Sequence, residues 1–409
     1  MNDWTYNFRI ACSLVSQFNP SDSLVDLIKT NEVVFSDLIV LFSTNNVTFD
    51  ISGLSFIEIE KRYKNIKWMF RADGLEFYSK HLWKVAQENG AVLLPLSIQL
   101  AFDSNVSESI RKVVLGKDIS NREDLFNIIR FIKDYKIKID FSFFVFENLL
   151  HSLIPENSRP LETIASLKLL DSIDYSAFLH NHSELKFKIT EEEAFSQADV
   201  VLQNFSSSAA ITDEITKQLA TYAILLKAIY LYYNKKLTSH EKMSQLFTFC
   251  LKTMNKILKL ELYICWKFFE FGNKINFFVP ILSRGRNTIK ISKGMSWDIF
   301  VFRHQLMQLY KSKFGEFVIP MFCTFDNKFL SLLEVCSLRS CIINPNHGRC
   351  ELIFEDEIDF QVFLTESIPA NETGNILNSA KSRTESKLNR NKLERVVQHL
   401  EEKVSQHLT

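Results

Sequence analysis

Four acidic residues stand where carboxylates are unusual. LSIQLAFDSN is apolar up to Phe102 and then turns polar at Asp103, Ser104 and Asn105. MFCTFDN repeats the pattern, with Thr324 and Asp326 closing a second apolar run. Glu147 lies inside FFVFENLL, and Asp298 heads the apolar run of SWDIFVF. Carboxylates brought together repel one another unless a cation joins them, and magnesium and manganese prefer oxygen ligands. Such a metal activates water and offsets charge on a phosphoryl transition state. Together the four acids point to metal-assisted hydrolysis. Singly, each has a structural explanation, because aspartate is also a favoured helix cap and turn residue.

Acids meet only if the elements carrying them converge. In an open α/β sheet, ligands bind outside the carboxyl ends of the strands. AVLLPLSIQLAF has the pattern of a strand, and REDLFNIIRFIKDY that of a helix capped by Ser120 or Asn121. KIKIDF follows as a strand and FFVFENLLHSL as a helix, the alternation of an α/β sheet. Further on, INFFVPIL (275–282) has the pattern of a strand and SRGRNTIKISKG that of a basic loop. SWDIFVFRHQLMQLYKSKFG is expected to be a helix, EFVIPMFCTFD a strand and NKFLSLLEVC a helix, with SCIINP and CELIFE as edge strands. Upstream, DLIVLF (37–42) is expected to be a strand and GLEFYSKHLWKVAQENG (74–90) a helix.

The chain of 409 residues accordingly divides into five expected parts. Residues 1–90 form a mixed α/β N-terminal extension, and 91–154 the first part of an α/β core. Residues 155–274 have helical period throughout and form an insertion, and 275–366 complete the core. Residues 367–409 are a polar linker followed by one amphipathic helix, RNKLERVVQHLEEKVSQHL, which suits a protein partner.

The order of these motifs resembles the PIN-domain nucleases, which include toxin ribonucleases of toxin–antitoxin systems. The residues carrying the resemblance are DSN at 103–105, Glu147 in the helix after the next strand, Asp298 at a late helix and Thr324 with Asp326 in TFDNKFL. They span about 92–154 and 275–345, less than half of the chain. The resemblance implies a parallel-sheet core of PIN-like type and cleavage of phosphodiester bonds, in RNA rather than DNA, with a toxin or defence role as an extension. It implies Mg2+ or Mn2+ held by Asp103, Glu147, Asp298 and Asp326, with Asn105 and Thr324 orienting water, carboxylates or phosphate. About 150 residues separate Glu147 from Asp298, and Asp213 and Glu214 are rivals for the third acid.

Composition sets outer limits. With 48 basic and 48 acidic residues the net charge is zero, so a global basic field for nucleic acid is excluded. A local one is not: Arg284, Arg286, Lys290 and Lys293 lie just before Asp298 and suit a phosphate backbone. The N-terminus lacks a basic region followed by an apolar run, and Leu219 to Tyr233 is too short and too interrupted to span a bilayer. A cytoplasmic protein without a membrane partner is expected, its seven cysteines free thiols. Cys336, Cys341, His347 and Cys350 are zinc-compatible types, but their C-x4-C-x5-H-x2-C spacing lacks the usual knuckle pair. Walker A, GxGxxG and GxSxG motifs are absent. The rival reading is a non-catalytic interaction protein whose acids are helix caps.

Overall fold

The computed structural model describes residues 4–18, 22–45, 56–70, 72, 74–89, 96–152, 157–181, 185–283, 287–310, 317–369 and 386–408. The chain is mixed α/β and divides into two compact units. The first comprises Met1–Ser208, His304–Leu330 and Ser337–Glu355; the second comprises Ala209–Arg303, Ser331–Cys336 and Asp356–Thr409.

All eight described strands belong to the first unit: β1 (Ile39–Thr44), β2 (Ile66–Trp68), β3 (Gly74–Ser79), β4 (Leu96–Phe102), β5 (Lys138–Asp140), β6 (Phe317–Cys323), β7 (Leu338–Asn344) and β8 (Arg349–Phe354). They form two four-stranded sheets, ordered β3-β1-β7-β8 and β2-β6-β4-β5. In the second sheet β4 runs parallel to β5 on one side and to β6 on the other, while β2 closes the edge antiparallel. The β4–β6 register runs from Leu96↔Phe317 to Phe102↔Cys323, so both strands end at the same level. β2 pairs only with Met321–Cys323, which leaves β6 a neighbour on one side alone at Pro320, where a strand tolerates proline.

From β4 the chain passes through helices Ser104–Val114 and Arg122–Asp134 to β5, and helix Ser142–Ser152 follows. The Arg122–Asp134 helix buries Leu125, Ile128, Ile129 and Ile132 on one face, the spacing that marks it as helical in the sequence. The strand reached later, β6, lies on the opposite side of β4. The strand order therefore reverses between β4 and β6.

The second unit is helical. Its Arg390–Leu408 helix buries Leu393, Val397, Leu400 and Val404 and packs on the Ala209–Tyr233 helix. Tyr222 donates a hydrogen bond of 2.7 Å to Glu401 across that pair. The apolar stripe that suits a partner is thus covered within the chain. Buried Glu261 accepts from Thr221 (2.6 Å) and from Arg303 (2.7 Å through Nε), which offsets the cost of a carboxylate at 2% exposure.

Several elements differ from expectation. Residues 1–90 contribute β1 and β3 to one sheet and β2 to the other, so they are part of both sheets rather than an extension. GLEFYS, the start of the expected 74–90 helix, is β3, because β1 offers it a full antiparallel partner from Ile39↔Ser79 to Thr44↔Gly74. INFFVPIL is not a strand: Val279–Leu282 is a short helix with proline at its first turn, and Phe277 and Phe278 are buried within the helical unit. The helical stretch 155–274 is shared, with 155–208 in the first unit and the rest in the second. Among the described residues no helix is long and apolar enough to cross a membrane.

Candidate functional site

β4 and β6 end side by side, and the polar residues that follow them interlock. Asp103 stands at the N-cap position of helix Ser104–Val114, yet its side chain makes no capping hydrogen bond there. Its Oδ2 instead accepts from Thr324 Oγ1 (2.7 Å) and from Asn105 Nδ2 (2.6 Å). Thr324 is fully buried, and its Oγ1 also accepts from the Asp326 amide at 2.9 Å. Asn105 Oδ1 accepts from the Phe325 amide at 3.2 Å, which ties the segment after β4 to the segment after β6. The backbone joins them as well, with the Asp103 amide donating to the Cys323 carbonyl at 3.0 Å.

Glu147 enters from the Ser142–Ser152 helix, where Ser104 Oγ donates a hydrogen bond to its Oε2. Asp103, Glu147 and Asp326 are all half-buried. Burial pushes the Asp103 carboxyl above its ordinary range; the Thr324 hydrogen bond and the nearby amides of Ser104 and Asn105 oppose this, and the charge of Asp326 adds to it. Burial likewise pushes Glu147 up to about 7, opposed by Ser104 and reinforced by the charge of Asp103. Burial is the main cause of both shifts, and the charge of a neighbouring carboxylate adds to each.

Asp298 stands on a different unit from these three acids. It belongs to the second unit, half-buried in the middle of helix Thr288–Tyr310 and not at its head. The helix begins ten residues earlier because Thr288, Ser292, Met295 and Ser296 are buried along one side, which makes residues 288–293 of the expected basic loop part of its first turns. Lys290 and Lys293 are exposed on that helix, three positions apart and hence neighbours on its surface. Arg284 and Arg286 lie outside the described residues. The rivals Asp213 and Glu214 are also in the second unit, on helix Ala209–Tyr233.

A fourth acid of the first unit has a role that its sequence pattern signals. Asp140 closes KIKID as Asp103 closes LSIQLAFD. Its Oδ1 accepts from the Ser142 amide (2.9 Å) and hydroxyl (2.6 Å), starting the helix that carries Glu147, and its Oδ2 accepts from Gln305 at 3.2 Å. His304 is 3.1 Å from the Ser142 hydroxyl and packs edge-on against Phe146, the residue before Glu147. These contacts join residues 162 to 165 positions apart, a separation that local patterning does not reveal.

The carboxylates of Asp103, Glu147 and Asp326 offer oxygen, the ligand atom that hard divalent cations take. Among the described residues no group of three or more His, Cys, Asp or Glu side chains is arranged to hold a metal ion. The chain matches no protein-family model, no curated protein and no solved structure.

Proposed function

We propose that this chain is a metal-dependent nuclease of PIN-like type that hydrolyses phosphodiester bonds, in RNA in preference to DNA. The observation that carries the reading is the position of Asp103. It ends β4 where the strand order reverses beside β6, the place where open α/β sheets bind ligands. Its carboxylate is held by the Thr324 hydroxyl and the Asn105 side-chain amide, with the Ser104 and Asn105 backbone amides close to it.

Asp103, with Asp326 or Glu147, would hold Mg2+ or Mn2+. When bound, the ion supplies a water of lowered pKa and positive charge opposite the phosphoryl oxygens. Thr324 fixes the Asp103 carboxylate by donating to Oδ2 and fixes the turn to Asp326 by accepting its amide. Asn105 holds the same Oδ2 and the Phe325 amide, so it locks the two strand ends at one spacing. Ser104 holds the Glu147 carboxyl beside them. One observation favours the rival, non-catalytic reading for a single acid: Asp326 Oδ1 accepts from the Lys328 amide at 2.8 Å, as a cap does.

The test uses the full chain, Mn2+ and end-labelled RNA and DNA. Cleavage by the wild type should fall by about 10²-fold or more in Asp103→Asn, which removes a charged ligand but keeps the shape. Cleavage unchanged in Asp103→Asn removes Asp103 from the reaction, and no cleavage of either nucleic acid by the folded wild type leaves the cap reading in its place.

A further inference from the structure

The cysteine-rich segment takes no part in the site above, and its geometry has a chemistry of its own. β7 and β8 form a hairpin closed by the turn Pro345–Gly348. Gly348 has φ +61°, a conformation that side chains other than glycine seldom adopt. Asn344 Oδ1 accepts from the His347 amide at 3.3 Å, and the Trp4 ring stacks on His347 at 4.0 Å. The hairpin is thus pinned at its turn as well as along its ladder.

In this register Cys341 faces Leu352 and Ile343 faces Cys350, so the two cysteines are diagonal neighbours two positions apart on the same side of the hairpin. Their sulfurs are 3.4 Å apart and both thiols are free. Cys341 is buried, whereas Cys350 is half-exposed. A disulfide needs sulfurs about 2.05 Å apart, so closing the bond draws the two sulfurs together from contact and shifts the hairpin strands with them.

We propose that Cys341 and Cys350 form a reversible dithiol–disulfide site that draws its oxidising equivalents from a low-molecular-weight disulfide. The half-exposed Cys350 is the entry thiol. It loses its proton to solvent, and its sulfur attacks one sulfur of the small disulfide; a mixed disulfide forms and one small thiolate leaves, taking up a proton. The Cys341 thiol then loses its proton, and its sulfur displaces the second small thiol. Two protein thiols and one small disulfide thereby become one protein disulfide and two small thiols. The contact with Cys350 and, after it, burial push the Cys341 thiol up, so it is a poor first nucleophile and a resolving one only once Cys350 has been modified. This site stands independently of the nuclease reading.

The experiment treats the full native chain with oxidised glutathione, blocks remaining thiols and digests with trypsin without reduction. Trypsin cuts after Arg339, Arg349 and Lys381, so the two cysteines fall on separate peptides, 340–349 and 350–381. The expected product is these two peptides joined with loss of two hydrogens, and separated again by dithiothreitol. Cys341→Ser should stop at a stable glutathione adduct on Cys350, and Cys350→Ser should give neither adduct nor link. The proposal is overturned if the wild-type peptides stay unlinked, if Cys350 is found joined to Cys12, or if Cys350→Ser still modifies Cys341. The wild-type digest alone decides the pairing, whatever the variants do to folding.

Discussion

Thr324 and Glu147 reveal most about how individual side chains make the strand ends a site. Thr324 is buried with both hydrogen-bonding capacities of its hydroxyl used, one toward Asp103 and one toward the Asp326 amide. Thr324→Val keeps the volume and removes both bonds. It should lower stability by about 1–3 kcal/mol in urea unfolding, since it leaves a half-buried carboxylate short of a donor. The proposed nuclease activity should fall by about tenfold or more through misplacement of Asp103; a variant as stable and as active as wild type removes Thr324 from the proposed site. For Glu147 the sign of the pH effect follows from its raised pKa of about 7. The folded chain holds this proton more tightly than the unfolded chain, so the contribution is fully present below the ordinary carboxylate pKa and is lost as pH rises toward 7. With metals chelated, unfolding free energy of the wild type should therefore decline between about pH 4.5 and pH 7, and the decline should be smaller in Glu147→Gln. Equal slopes in denaturant titrations across that range would show that Glu147 is not the group responsible.

Elements differ in how far their sequence determines them. β4 and β6 were legible because each is an apolar run long enough for one strand and bounded by a polar turn. The site residues just beyond them, Asp103, Asn105, Thr324 and Asp326, were legible for the same reason, being fixed by the end of a strand. GLEFYS was not, since Leu75 and Tyr78 satisfy a helical spacing and only the partner strand β1 decides otherwise. INFFVPIL was not, because a short apolar run has the same composition in a strand and in a buried helical connection. The helix-head placement of Asp298 changed with its element: once the helix starts at Thr288, the acid lies in its middle. Capped helices provide a control at this scale. The Glu191–Ser206 helix has a full capping box, with Thr190 accepting from the Glu193 amide (3.1 Å) and Glu193 accepting from the Thr190 amide (2.9 Å). Thr190→Ala should cost about 1 kcal/mol in denaturant unfolding. It should leave metal-dependent cleavage unchanged, because the box takes no part in the Asp103 cluster. A loss of cleavage at equal folded fraction would tie this helix to the reaction.

The whole molecule assigns two tasks to two kinds of packing. The candidate site rests on a parallel sheet of the first unit, whose hydrogen-bond ladder fixes Asp103 and Asp326 relative to each other. The second unit is held by helix faces, among them the seam between helices Ala209–Tyr233 and Arg390–Leu408, where Val404 is fully buried. A charge placed in that seam has no partner built for it, and burying an unpaired carboxylate is among the few single changes that cost more than about 4 kcal/mol. Val404→Asp should consequently strip hydrogen-exchange protection from the Ala209–Tyr233 and Arg390–Leu408 helices. If the two units are separate cooperative bodies, β4 and β6 should retain most of their protection in the same experiment, because their hydrogen bonds and core lie in the first unit. Protection lost equally from β4, β6 and the helical seam would mean that the chain unfolds as one body, and the division into two units would then describe contacts alone and not stability.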